Sequence, residues 1–203
     1  MQGTRIGVAA FLVLAGFAIA RDTLARGLFD DPQVEIPIAV EIASSTESVL
    51  PGEYPARLLI QKIGVDAAVE DAGVVAGNRM AAPQKFANVA WFKYGTVPGK
   101  KGTAVIGGHR DNGFGLDGAF RRLDTLVPGD EIVVVTEEGA TLRFTVEKTA
   151  IYSYTEKLDA LFATTTDARL NLITCTGRWI KTAAQGWTFD RRLVVYAVRK
   201  GGS

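Results

Sequence analysis

From residue 56 to residue 200 the chain alternates between short apolar runs and turn residues. Arg57 to Gly64 (RLLIQKIG), Asp66 to Glu70 (DAAVE), Asn88 to Phe92 (NVAWF) and Thr103 to His109 (TAVIGGH) each have the length and β-branched content of a strand. Glu131 to Thr136 (EIVVVT) and Thr141 to Tyr152 (TLRFTVEKTAIY) flank the turn Glu137-Glu138-Gly139 and predict a hairpin. Leu170 to Cys175 (LNLITC) and Arg192 to Val198 (RLVVYAV) complete a set of about eight strands. Two segments read as short helices, Gly118 to Leu126 (GAFRRLDTL) and Glu156 to Phe162 (EKLDALF). Many close-spaced strands with little helix predict an all-β domain, a barrel or a sandwich. The continuous run Ile132 to Val135 fits a strand covered on both faces or lining a small barrel.

The first 55 residues follow another pattern. Ile6 to Ala20 (IGVAAFLVLAGFAIA) is fifteen uncharged residues between Arg5 and Arg21. It is shorter than the roughly 20 residues of a full membrane span. It fits a signal anchor, a secretory signal peptide ending at the small-x-small stretch Ala18-Ile19-Ala20, or a buried helix of the domain. Arginines on both sides give no clear orientation. Residues 23–55, rich in Ser, Thr, Pro and acidic residues without periodicity, read as a linker. The expected organisation is therefore an anchor or signal over 1–22, a linker over 23–55 and a β-domain over 56–200.

Composition narrows the chemistry. A net charge of +1 argues against a nucleic-acid partner. One cysteine, Cys175, excludes an internal disulfide. With a single histidine, His109, it leaves few ligands for zinc, so neither a zinc site nor a cofactor is expected.

Both residues sit where a strand runs out. His109 follows TAVIGG and precedes Arg110-Asp111-Asn112-Gly113; Cys175 follows LNLIT and precedes Thr176-Gly177. Strand ends gathered at one rim of a barrel would bring them together. A third candidate is Arg192, at the start of the last strand; alternation puts it on one face with Val194 and Tyr196, and Arg191 on the other with Leu193 and Val195. A thiol attacks an acyl carbon as thiolate, an imidazole moves the proton, and an arginine supplies fixed donors to the oxyanion. Each residue alone also fits a plain structural role: a buried small side chain, a loop histidine, charges at a strand edge.

Taken in order, the segments resemble the sortase family of cysteine transpeptidases. The likeness runs from about Leu58 to Val198. It is carried by Trp91, the Pro98-Gly99-Lys100-Lys101-Gly102 loop, TAVIGGHRD from Thr103, the segment FRRLDTLVPGDEIVVV from Phe120, LITC from Leu172 and RLVVYA from Arg192. Asn171 departs from the threonine of many relatives. The resemblance implies Cys175 as the acyl-carrying nucleophile, His109 as proton donor and acceptor, and Arg192, in preference to Arg191, as the group that steadies the oxyanion or the substrate backbone. It implies a closed eight-stranded barrel with the site at one rim, under a loop from Thr176 to Asp190 that carries Trp179 and Trp187. The Gly-His-Arg-Asp form is nearer the smaller class D, E or F-like groups. The implied setting is a single-pass membrane protein with its catalytic domain outside the cytoplasm. Its implied partners are secreted proteins with a C-terminal LPXTG-like sorting signal and an amine acceptor such as cell-wall peptide or a pilin lysine. A catalytically inactive anchored barrel that only binds is the competing reading. An L,D-transpeptidase is not, because no Ser-His-Gly-Cys stretch exists.

Overall fold

The computed structural model describes residues 36–37, 53–113, 115–183 and 186–200. The expected anchor over 1–22, with its apolar helix, and nearly all of the linker over 23–55 lie outside the described residues. Among the described residues no helix is long and apolar enough to cross a membrane.

The strands in chain order are β1 (Ile36–Pro37), β2 (Pro55–Ile60), β3 (Val65–Ala72), β4 (Val74–Val75), β5 (Arg79–Met80), β6 (Val89–Phe92), β7 (Gly102–Gly108), β8 (Glu131–Thr136), β9 (Thr141–Ser153), β10 (Ala168–Thr182) and β11 (Gly186–Arg199). Eight of them close into a barrel in the order β10-β11-β9-β8-β2-β3-β6-β7, and β1, β5 and β4 make a small separate sheet. The expected hairpin is β8–β9, with Gly139 at φ 83° in its turn. Most pairings are antiparallel, but β3–β6 and β7–β10 are parallel.

Period-two alternation fills the lumen. Every barrel strand contributes to one buried cluster, with Leu58, Ile60, Ala67, Trp91, Ile106, Val134, Phe144, Leu172 and Val195 among its members. Each large aliphatic or aromatic side chain so buried contributes about 1.5–3 kcal/mol. The intervening residues Ala72, Ala90, Phe92, Val105, Ile173 and Val194 face outward. They are covered by Met80 of β5 and by Leu158 and Leu161. The barrel is thus insulated on part of its outer face as well, which is why β7 is buried along its whole length.

The two expected helices are not helices. Residues Leu123–Thr125 and Asp159–Phe162 form single 3-10 turns, and a third turn, Gln61–Ile63, ends the run RLLIQKIG early. Local bonds span three residues, as in Leu123 N–H to Phe120 and Leu161 N–H to Leu158. The first segment cannot wind further because Gly118 and Phe120 donate backwards to the carbonyls of Arg110 and His109. The second runs straight into the β-branched stretch Thr164-Thr165-Thr166. The expected loop from Thr176 to Asp190 is also different. β10 and β11 continue as a hairpin through a bulge between Thr176 and Trp179. Gly177 sits there at φ 88°, where a Cβ would meet the Asp190 carboxylate, and Asp190 accepts from the Arg178 N–H at 2.7 Å.

Candidate active site

Strand register assembles the site. In the parallel pair β7–β10, Gly107 lies opposite Ile173. Two positions on in each chain come His109 and Cys175, so the two emerge level with each other. On the other side of β10, Cys175 lies directly opposite Arg192 of β11, and Arg192 lies opposite Tyr152 of β9. Strands in a sheet stand about 4.8 Å apart, so the imidazole, thiol and guanidinium arise from three neighbouring strands at one level. Cys175 shares its face with Ile173 and Arg192 shares its face with Val194, both members of the outer cluster. The site therefore lies on the outer face of the barrel near its end, not in the lumen. Arg191 is opposite Thr176 and exposed, so alternation selects Arg192 of the two arginines.

The thiol is covered. Cys175 is 2% exposed and packs with Phe189, Ala82 and Trp179 in a small cluster of its own. Burial pushes its pKa up, and the Arg192 charge pulls it back down. Asp111 pushes in the same direction as burial, while the Phe189 N–H and Arg110 act with Arg192.

Arg192 is 1% exposed. Its Nη1 donates to the carbonyls of Phe189 and Arg191 at 2.9 and 3.0 Å, and its Nη2 donates to Thr188 Oγ1 at 3.3 Å. These bonds fix the plane of the guanidinium. Its Nε is buried and has no partner among the described residues. An unpaired buried donor of this kind costs roughly 1–3 kcal/mol, which an acceptor on a ligand would relieve.

His109 is 2% exposed. Its Nε2 donates to the Pro83 carbonyl at 2.9 Å, and its ring stacks on Phe86 at 4.2 Å between centroids and 13° between planes. Thr174 Oγ1 donates to the Gly108 carbonyl at 2.8 Å, tying β10 to β7 one residue before the pair. Gly118 presses on the other side, where a Cβ would come within 2.2 Å of the His109 carbonyl oxygen. Gly118→Ala is expected to displace His109 and to cost about 1–3 kcal/mol in stability. Thermal unfolding and turnover should fall together; unchanged values in both would show that the backbone there yields freely.

Sequence reasoning named His109, Cys175 and Arg192, which the fold brings to one level, and did not name Pro83, Phe86, Thr188 or Phe189. Those four act through a backbone carbonyl, a ring face or a local hydroxyl, for which APQKF and WTF carry no spacing signal. The tryptophans are resolved too. Trp179 stacks on Trp187 at 6.1 Å and meets Phe189 edge to face at 4.8 Å, so an aromatic row leads from the half-exposed Trp187 to the cover of Cys175. Among the described residues no cluster of His, Cys, Asp and Glu could hold a metal ion.

Comparison with known proteins adds three findings. The family model described as Sortase domain matches residues 58–200. No curated protein sequence matches. Solved structures share the fold. Sortase C-1 of Actinomyces oris is 21% identical with a TM-score of 0.56, the match covering 72% of this chain and 73% of that one. Sortase A of Corynebacterium diphtheriae is 20% identical with a TM-score of 0.55, over 77% of this chain and 64% of that one. A Clostridium perfringens sortase D5 transpeptidase is 24% identical with a TM-score of 0.52, over 79% and 88%.

Proposed function

The chain belongs to the sortase family of cysteine transpeptidases, and on that premise we propose that it cleaves a C-terminal sorting motif of LPXTG type in secreted proteins and passes the acyl group to an amine. Cys175, His109 and Arg192 are the groups that do so. The observation that carries this reading is their common level, His109 just past the end of β7 and Cys175 and Arg192 paired on β10 and β11.

The Cys175 thiol gives its proton to His109, and the sulfur attacks the carbonyl carbon of the scissile peptide. The carbonyl oxygen becomes an oxyanion and accepts from Arg192, whose Nε has no other partner among the described residues. The C–N bond breaks, and the leaving amine takes the proton from His109. The acyl group is then held as a thioester. An incoming amine attacks that carbon, gives a proton to His109, and expels the Cys175 sulfur, which regains the proton. Entry of the peptide displaces part of the Ala82, Trp179 and Phe189 cover.

The same reading makes the enzyme a single-pass membrane protein facing outward, held by Ile6 to Ala20, with cell-wall peptide or a pilin lysine as acceptor. The Gly-His-Arg-Asp form supports a place among the smaller class D, E or F-like groups.

The test uses the full chain in detergent with a library of sorting-type peptides and hydroxylamine. Peptide hydroxamates from a subset of the library, with an acyl adduct on Cys175, are expected by mass spectrometry. No hydroxamate and no adduct across the library would favour an anchored barrel that binds without turning over.

A further inference from the structure

One carboxylate outside the site is tied to the catalytic imidazole through a loop. Glu70, half-buried on β3, accepts three hydrogen bonds from the segment between β5 and β6. The Gln84 N–H donates to its Oε2 at 2.6 Å; the Lys85 N–H and the Asn88 Nδ2 donate to its Oε1 at 3.3 and 2.7 Å. The loop is fastened on its other side by the Ala119 N–H, which donates to the Phe86 carbonyl at 2.8 Å. Nothing else in this segment has the regular bonding of a strand or helix. The Ala81 N–H to the Gly73 carbonyl and the Asn88 N–H to the Lys85 carbonyl, both 3.0 Å, pin its two ends, and between them its shape rests on the Glu70 carboxylate and the Ala119 amide.

This loop holds His109. Pro83 immediately precedes Gln84, and Phe86 immediately follows Lys85. Pro83 supplies the carbonyl that faces Nε2, and Phe86 supplies the ring that stacks on the imidazole. A carbonyl oxygen only accepts, so Nε2 must carry a hydrogen. In the neutral ring the lone pair then sits on Nδ1.

We propose that Glu70 is a positioning residue for His109: by bracing residues 83–88 it commits Nε2 to the Pro83 carbonyl and leaves Nδ1 as the nitrogen that exchanges protons with the thiol and the amines. The role in turnover rests on His109 being the acid–base group proposed above. The tautomer does not, and it can be read without any substrate.

His109 is the only histidine in the chain, so nitrogen-15 labelling of histidine gives one imidazole to observe in the full chain in detergent. The native protein should show the Nε2–H tautomer, and Glu70→Ala should show a mixture with Nδ1–H. Glu70→Gln, which keeps one acceptor oxygen, should lie between them. Misplacing a catalytic group in this way is expected to lower kcat by about 10²-fold while KM changes by less than about threefold. Phe86→Leu keeps the Glu70 bonds and removes the stacked ring, so it should lower kcat without changing the tautomer. If Glu70→Ala does not fold, Glu70→Gln and Phe86→Leu carry the test. A native Nδ1–H tautomer overturns the proposal, as does a native-like tautomer with native-like kcat in the Glu70 variants. A hydroxylamine-inactive native protein with the Nε2–H tautomer leaves the positioning intact and rejects the function reading alone.

Discussion

Cys175→Ser leaves the barrel folded and lowers acyl transfer by about 10⁴-fold or more. The hydroxyl fits the space of the thiol, and the Phe189 N–H that faces the sulfur can donate to the oxygen instead. Stability should therefore change by about 1 kcal/mol, within the ordinary range of single substitutions. What is lost is the nucleophile, since a serine hydroxyl is far harder to ionise than a thiol. Hydroxamate formation should fall to background and the acyl adduct should vanish, while thermal unfolding stays near native. Turnover within about tenfold of native would remove Cys175 from the mechanism. The pH dependence has a definite sign. Burial raises the thiol pKa in the folded state. Its contribution to stability is then fully present below the ordinary thiol range and is lost as pH climbs through the raised value. Cys175→Ser should abolish that alkaline loss. For the same reason, native Cys175 should react with iodoacetamide more slowly than a free cysteine peptide at neutral pH and gain rate as pH rises.

The parts of the fold that were legible in the sequence are those with a period. The apolar runs TAVIGG, LNLIT and RLVVYAV mark strands, and alternation separates Arg191 from Arg192 onto opposite faces, but the preference for Arg192 enters through the resemblance; the pairing of Cys175 with Arg192 in the fold agrees with it. Barrel closure was not legible from the strands alone, since pairing β7 with β10 joins segments 66 residues apart; it entered through the resemblance. The helices at Gly118 and Glu156 were misread because their apolar spacing suits a helix, while backward hydrogen bonds to His109 and Arg110 hold the first segment in turns. The loop from Thr176 to Asp190 is an expectation of the resemblance, and in the fold Gly177 and Asp190 instead build a bulge inside a continuing pair of strands. Pro83 and Phe86 lay beyond reach for a different reason. Their roles depend on where the chain folds back over β7, and no local pattern encodes that.

Arg192→Ala is expected to lower kcat/KM by about 10²–10³-fold, the usual consequence of removing one fixed donor to a developing oxyanion. Two effects of the guanidinium are mixed in that number, and Arg192→Lys separates them. The first effect is charge: among the groups that lower the pKa of Cys175, Arg192 is the largest. Arg192→Ala should therefore move the pH profile of Cys175 alkylation to higher pH, and Arg192→Lys, which keeps a cation, should move most of it back. The second effect is shape. Nη1 spans the Phe189 and Arg191 carbonyls and Nη2 reaches Thr188, which holds Nε at a set angle with a hydrogen to give. An ammonium is a point donor and cannot keep those bonds and serve the substrate as well. Arg192→Lys should thus recover the alkylation profile but little of the lost turnover. Both variants leave the Phe189 and Arg191 carbonyls short of a donor, at a cost of about 1–3 kcal/mol, so each is compared at a temperature where it is fully folded. Native turnover in Arg192→Lys would reduce the role to charge alone. Native turnover in Arg192→Ala would leave Arg192 as a brace for the hairpin and return the oxyanion to backbone donors.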